Sequence, residues 1–179
     1  MGMTYRVDAL KPTVTIKKYF DSKGHEPNAV ADTIIDDMVF DREDAFRRWC
    51  GFPPWLPNKE GFAFRIETQH LQNARAVLQG LLDRVAKMPF TMDGPAHSKY
   101  ERNEQTGEYE YVYSGSPENV AILKAINEVL SRDYHFGYFP WEERAATVGS
   151  GVKVMIAALD SAIEFMEANP DRIVIGLYY

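Results

Sequence analysis

A lysine and a hydroxyl, set among glycines before an apolar stretch, are the residues here that most suggest chemistry. Residues 147–153 read Thr-Val-Gly-Ser-Gly-Val-Lys, and free backbone N–H groups at the start of a helix can bind a phosphate or another anion. The segment lacks the spacing of a P-loop, and the residues before it do not read as a strand. The sequence therefore favours a glycine kink, with Ser150 and Lys153 as anion ligands in the alternative interpretation.

The histidines form no local metal motif. They are His25, His70, His97 and His135. None belongs to a short His-x-x-x-His pair of the kind that holds zinc on a helix. A metal site assembled from distant positions would draw on His135, Glu142 and Glu143, but ordinary loop and surface residues explain them more simply. No metal and no cofactor is predicted.

The single cysteine, Cys50, follows Trp49 at the predicted end of a helix. A reactive thiolate is favoured at a helix N-terminus or beside a histidine, and neither is near in sequence. The sequence favours a buried thiol, and the alternative is a nucleophile that a distant His135 activates. No catalytic residue is predicted.

A run of acidic residues occupies positions 32–44. Its members are Asp32, Asp36, Asp37, Asp41, Glu43 and Asp44. A helix would place Asp32 and Asp36 on one face, where they would complement a basic partner. The plainer alternative is a solvated helix face with acids in the first turn of the next helix.

Two short segments, residues 49–57 and 134–143, hold all three tryptophans together with several prolines. Prolines break regular structure, and large aromatic side chains demand burial. We therefore expect loops that dock on the body of the protein or on a partner. The predicted partner-binding residues are the aromatics Trp55, Tyr138 and Trp141 and the acids Asp36, Asp37, Glu142 and Glu143.

The elements that must position these residues follow from hydrophobic periodicity. Strands are predicted over 4–10, 13–20, 62–66 and 173–177, with a β-hairpin over 100–113. Helices are predicted over 30–39, where a buried strand is the alternative, over 41–50 with Asp41 as N-cap, over 71–88, over 117–130, and from 140 to 166 with an interruption or kink at 149–151. This order predicts an α+β fold: a single compact domain over residues 1–179, with a mainly antiparallel sheet and about four to five helices packed on it.

Composition limits the classes of function. The chain has 179 residues, 45% of them hydrophobic, and a formal net charge of −6. An acidic chain without a basic stripe argues against nucleic-acid binding. A single cysteine and the lack of a secretory signal pattern predict a cytoplasmic protein, and charged residues interrupt its most apolar stretch, so no membrane insertion is predicted. Self-assembly through the hairpin or the C-terminal strand is left open.

The sequence favours a binding protein over an enzyme. The predicted function is a cytoplasmic protein-protein interaction module, an inhibitor, immunity factor or adaptor, that occludes a partner with a basic surface. The alternative is an enzyme or small-ligand-binding protein with an aromatic-walled pocket around residues 134–153. Its polar groups would be His135, Arg144, Ser150 and Lys153.

Overall fold

A computed structural model describes residues 3–22, 27–41, 45–57, 62–89, 96–130 and 141–178. The strands are β1 (Met3–Leu10), β2 (Ala31–Asp41), β3 (Ala63–Ile66), β4 (His97–Arg102), β5 (Tyr109–Ser114) and β6 (Val174–Tyr178). The helices are α1 (Ile16–Ser22), α2 (Pro27–Val30), α3 (Ala45–Trp49), α4 (Thr68–Lys87), α5 (Pro117–Val129) and α6 (Trp141–Ala168). The predicted α+β class is confirmed.

The main sheet has four antiparallel strands in the order β2-β1-β6-β3. The C-terminal strand β6 is buried along its whole length and lies between β1 and β3. The prediction that the last residues form a strand within the sheet is therefore confirmed. Gly176 in β6 is required by close packing, because a Cβ there would lie 2.8 Å from ring atoms of Phe64.

Helix α1 covers one face of this sheet. Tyr19 of α1 is buried against Leu10 of β1 and Ile175 of β6, in a cluster that also holds Val30, Ala31, Ala63 and Leu177. Alternate residues of a strand point to opposite faces, so Tyr5 and Val7 of β1 face the other side. Both are fully buried.

The chain divides into two compact units, residues 1–78 with 153–179, and residues 79–152. The first contains the four-stranded sheet. The second contains helix α5 and the hairpin β4–β5, which the sequence predicts and in which Tyr100 pairs with Tyr111. Ser116 caps α5 by accepting a hydrogen bond from the Asn119 N–H, as expected for Ser-Pro-Glu at a helix start. A single domain over residues 1–179 stays a prediction.

The strand predicted over residues 13–20 is wrong, because α1 covers most of it. Thr15 opens the helix: its hydroxyl accepts from the Lys18 N–H at 3.1 Å, and its carbonyl accepts from the Tyr19 N–H at 2.9 Å. Ile16, Tyr19 and Phe20 recur at helical spacing. The alternation of Val14 and Ile16 is too short to distinguish a strand from this pattern.

The helix predicted over residues 30–39 is also wrong, and the alternative strand interpretation is correct. Ile35 of β2 pairs with Val7 of β1, and Thr33 pairs with Asp8. Asp41 is the last residue of β2 rather than a helix N-cap, and α3 begins at Ala45. The acidic run therefore begins on a strand, where pairing with β1 outweighs the apolar spacing that suggested a helix.

The helix is not interrupted at residues 149–151, because α6 runs continuously from Trp141 to Ala168. The kink predicted there as the alternative stays a prediction. Gly149 lies in the helix interior. In the described structure, a Cβ at this position would meet no atom within 4 Å beyond its chain neighbours and the backbone of its own helix. Glycine lowers helix stability without forbidding the helix. Val154, an apolar residue of the same helix, is 69% exposed. In the described part of the chain, no helix combines the length and apolar character needed to span a bilayer.

Candidate functional site

The first tryptophan-proline segment leaves α3 through a tight turn. The Gly51 N–H donates to the Arg48 carbonyl at 3.0 Å, and the Phe52 N–H donates to the Arg47 carbonyl at 2.9 Å. Both Gly51 (φ 89°) and Phe52 (φ 57°) adopt the left-handed conformation that ends many helices. The turn directs the chain towards β3, where Trp55 forms a β-bridge with Phe64.

The segment has an inward side and an outward side. Trp49, Cys50 and Pro53 are buried. Phe52 is 58% exposed, Trp55 is 38% exposed, and Phe62, just before β3, is 56% exposed. We call Phe52, Trp55 and Phe62 the Trp55 surface. The loop was predicted to dock on the body of the protein or on a partner. Trp49 packs on the body, whereas Trp55 is partly exposed and accessible to a partner.

Buried aromatic rings support the Trp55 surface from below. The Trp55 ring centroid lies 5.8 Å from that of Phe64 and 6.0 Å from that of Tyr178, both in edge-on geometry. A layer deeper, Tyr5 stacks on Phe46 with 4.2 Å between centroids. Such ring pairs add to the free energy of burial. The exposed indole therefore stands on a closely packed base.

Arg47 of α3 holds the exposed rings in place. Its guanidinium carbon lies 4.3 Å from the Trp55 ring centroid and 5.4 Å from that of Phe52. The Arg47 Nε donates to the Pro53 carbonyl at 2.6 Å, and the backbone N–H of Arg47 donates to the Tyr178 hydroxyl at 3.1 Å. These contacts fix one ring face of Trp55 in the absence of any partner.

The thiol of Cys50 is not available for nucleophilic chemistry. Its side chain is fully buried, and burial raises the pKa of the thiol well above its ordinary value. A thiolate is the nucleophilic form of cysteine. The prediction of a buried cysteine is confirmed, and His135, the proposed activating base, lies outside the described residues.

Of the four acidic residues predicted to assist Trp55, the two that lie on β2 are not beside it. Asp36 is exposed on β2, at the opposite edge of the sheet from Trp55. Four steps of about 4.8 Å between neighbouring strands put these backbones about 19 Å apart. Asp37 is also on β2, and its side chain is outside the described part of the structure. In the described structure, Asp36 and Trp55 are therefore apart. The side chains of Glu142 and Glu143 are not described, so their role beside Trp55 stays a prediction.

The second aromatic segment is largely outside the described structure. His135 and Tyr138 lie in residues 131–140, which are not described. The backbone of α6 is described over Trp141, Glu142, Glu143, Arg144 and Ser150, but their side chains are not. Lys153 is exposed in the interior of α6, where backbone N–H groups bond within the helix instead of remaining free. The alternative interpretation of an anion site therefore loses the free backbone N–H groups on which it was based.

A buried polar cluster in the main sheet escaped the sequence reasoning. The carboxylate of Asp8, only 2% exposed, accepts hydrogen bonds from the Tyr19 hydroxyl at 2.5 Å, the Thr33 hydroxyl at 2.8 Å and the Arg6 Nε at 3.1 Å. Burial, and then the bond to Asp8, raises the pKa of Tyr19 above its ordinary value. The one signal for this cluster in the sequence was Asp8, an acidic residue within the apolar alternation of a predicted strand. With every member paired, the cluster ties α1 and β2 to β1.

The described residues offer no metal site. No three histidine, cysteine, aspartate or glutamate side chains converge in the ranges with described side chains. His135, Glu142 and Glu143 belong to the parts of the chain whose side chains are not described, so a site built from them stays outside this observation.

The hairpin of the second unit carries another exposed aromatic face. Tyr100 and Tyr109 are 55% and 60% exposed, and their rings stack with 5.4 Å between centroids. Tyr111 and Tyr113 continue the row, and the Lys124 ammonium lies 5.2 Å from the Tyr113 ring centroid. These tyrosines provide a matched set of exposed rings for comparison with Trp55.

Comparison with known proteins adds no assignment: no family model and no curated protein matches the sequence, and no solved structure matches the fold.

Proposed function

We propose that this chain is a protein-binding module whose contact is centred on the Trp55 surface and which acts by covering a functional surface of its partner. The observation that carries the proposal is a set of three large exposed aromatic side chains: Trp55 and Phe52 lie against the Arg47 guanidinium, and the Phe62 ring centroid is 5.1 Å from that of Trp55. Tryptophan at the centre of an interface is among the residues that contribute most to binding free energy. Exposed apolar patches on a folded protein mark interaction sites.

Pre-organisation favours binding at this surface. Ordering a flexible side chain on association costs about 0.5–1.5 kcal/mol. The Trp55 ring already contacts the Arg47 guanidinium and the rings of Phe64 and Tyr178. A partner that covers it therefore loses little free energy to ordering.

The charge of the chain bears on the kind of partner. A net charge of −6 favours encounter with a basic protein through long-range attraction. The contact at Trp55 itself is apolar with an arginine beside it. In this proposal, the acidic chain as a whole attracts a basic partner, and Trp55 anchors the bound partner. The protein would be an inhibitor, immunity factor or adaptor of the cytoplasm.

The test is affinity capture from a lysate of the native host at low salt, with quantitative mass spectrometry. The bait variants are the intact chain, Trp55→Ala and the matched control Tyr109→Ala, which removes an exposed ring from the other unit. We expect a stoichiometric partner that Trp55→Ala loses and Tyr109→Ala keeps. Circular dichroism and thermal unfolding must show that both variants fold.

The purified partner then allows a quantitative check. Removing a central tryptophan anchor weakens binding by 2 kcal/mol or more, which is roughly a 30-fold increase in Kd. Equal Kd values for the intact chain and Trp55→Ala would contradict the proposal, as would capture that both variants lose alike. Trp141→Ala, tested in parallel, examines the second predicted anchor separately.

A further inference from the structure

A cleft of about 510 Å³ opens beside β1, between the chain that links β1 to α1 and the chain that leads into β6. Its wall includes Pro12, Thr13, Val14, Ile16, Lys17 and Ile173. All of these residues belong to the unit that contains the main sheet. The volume falls within the range of about 300–1,000 Å³ that is usual for small-molecule sites. We call it the Thr13 cleft.

The apolar part of the wall is firmly supported. Val14, Ile16 and Ile173 are partly buried and pack on the cluster that contains Leu10 and Tyr19. The Leu10 N–H donates to the Ile173 carbonyl at 2.8 Å, which joins the two sides of the cleft. The wall therefore presents branched aliphatic side chains on a fixed backbone.

Thr13, in the lining of this cleft, adopts a strained conformation. Its φ of 69° is in the left-handed region, which β-branched residues rarely enter. Pro12 precedes it, and the Lys11 carbonyl accepts from the Val14 N–H at 3.1 Å, so Thr13 occupies the turn position at which glycine or asparagine is usual. Backbone strain of this kind clusters at ligand sites.

Basic groups predominate at the cleft. Lys11, Lys17 and Arg172 line it, with Asp171 as the one acidic residue in the lining. Arg172 is committed to the fold, since it donates to the Ala9 carbonyl at 2.9 Å and to Asp32 at 2.7 Å. Lys17 contacts Asp21 at 4.0 Å, but both side chains are largely exposed, so this ion pair holds Lys17 weakly. Lys17 can therefore turn to a bound anion.

We propose that the Thr13 cleft binds a small organic anion with an apolar body, of the class represented by a medium-chain carboxylate. The aliphatic wall of Val14, Ile16 and Ile173 receives the apolar body, and Lys17 neutralises the anionic group. This site is separate from the Trp55 surface, and the proposal does not depend on protein binding there.

The probe is sodium decanoate, added to the full chain with ¹³C-labelled isoleucine and valine methyl groups and followed by NMR. We expect saturable shifts of the Ile16, Ile173 and Val14 methyl resonances and none at Val154, which is exposed on α6 and outside the lining. Decyltrimethylammonium, with the same chain and the opposite charge, should not compete.

Neighbouring lysines on α1 provide the matched variants. Lys17→Gln should raise the apparent Kd for decanoate about fivefold, the size expected for one exposed charge contact. Lys18→Gln, which removes the adjacent charge outside the lining, should leave the Kd unchanged. Both positions are exposed, so the variants should fold alike.

Three outcomes would overturn the proposal. The first is the absence of a saturable shift of the lining methyl resonances at millimolar decanoate. The second is binding of the ammonium analogue as tight as that of the carboxylate, and the third is equal weakening of binding by the two lysine variants. The last two would identify general apolar or general charge attraction instead of a site for organic anions.

Discussion

The Arg47 guanidinium carbon lies 4.3 Å from the Trp55 ring centroid, while its Nε donates to the Pro53 carbonyl at 2.6 Å. One side chain thus fixes both the turn after α3 and the exposed indole. A cation over an exposed ring contributes about 0.5–1 kcal/mol, and a hydrogen bond from a charged group about 1.5–3 kcal/mol.

We therefore expect Arg47→Met, which keeps much of the side-chain volume, to lower the free energy of unfolding by about 2 kcal/mol. Urea denaturation measures the change. The control is Arg84→Met, which removes an exposed 2.8 Å ion pair with Glu128 and should cost under about 1 kcal/mol. Equal costs at the two positions would show that Arg47 does not hold the Trp55 surface in place.

The Tyr19–Asp8 pair should make stability fall in alkaline solution. Because the pKa of Tyr19 is raised in the folded state, the folded protein keeps a proton that the unfolded chain loses above about pH 10. This contribution to stability is complete below that pH and declines above it by up to about 1.4 kcal/mol per pH unit.

Urea unfolding of the intact chain and Tyr19→Phe isolates this group from the other titrating residues. The advantage of the intact chain over Tyr19→Phe should be constant up to about pH 9 and shrink towards about pH 11. An advantage that does not change with pH would mean that Tyr19 titrates normally in the folded protein.

Asp36 should protect an open sheet edge. Among the described residues β2 pairs with β1 alone, and charged residues on an edge strand oppose pairing with another molecule. We expect Asp36→Val to increase self-association, measured as mass against concentration by light scattering. Asp36→Asn, which keeps a polar group, should associate less, and a monomeric Asp36→Val would contradict this role.

Two glycine-to-alanine substitutions should change stability in opposite directions, one through close packing and the other through helix propensity. Gly176→Ala places a Cβ 2.8 Å from Phe64, whose ring is fully buried, and overpacking of this kind costs about 1–3 kcal/mol. Gly80 lies inside α4, where alanine is favoured by about 1 kcal/mol. Beyond its chain neighbours and its own helix backbone, the new Cβ of Gly80→Ala would meet no atom of the described residues within 4 Å.

Thermal unfolding of the two alanine variants should therefore show shifts of opposite sign. Stabilisation by Gly176→Ala would mean that the sheet has room at this position and that the close approach of β6 to Phe64 is not needed.

Local periodicity was sufficient for several elements. The recurrence of Leu71, Ala74 and Leu78 predicted α4, and the alternating tyrosines of residues 109–113 predicted the hairpin, because each pattern is long enough to distinguish a period of 3.6 from a period of 2. Ser116 and Pro117 predicted the start of α5 through cap chemistry, which is also local. The alternation of Ile173, Ile175 and Leu177 predicted β6.

Short apolar segments were decided by tertiary pairing. Residues 13–20 and 30–39 contain spacings compatible with both a helix and a strand. Burial of Tyr19 against Leu10 makes the first a helix, and pairing of Ile35 with Val7 makes the second a strand. Both contacts join residues that are distant in sequence, so no local window contains the deciding information.

The candidate site shows the same division. Sequence composition alone identified residues 49–57 as a segment that must dock, since tryptophans and prolines occur together there. Only the tertiary structure decided that Trp49 is buried while Trp55 is exposed, that Arg47 covers the Trp55 ring, and that Asp36 lies at the far edge of the sheet. The exposure of each tryptophan and the distance between Asp36 and Trp55 depend on strand order. Strand order is set by packing between distant segments and has no local signal in the sequence.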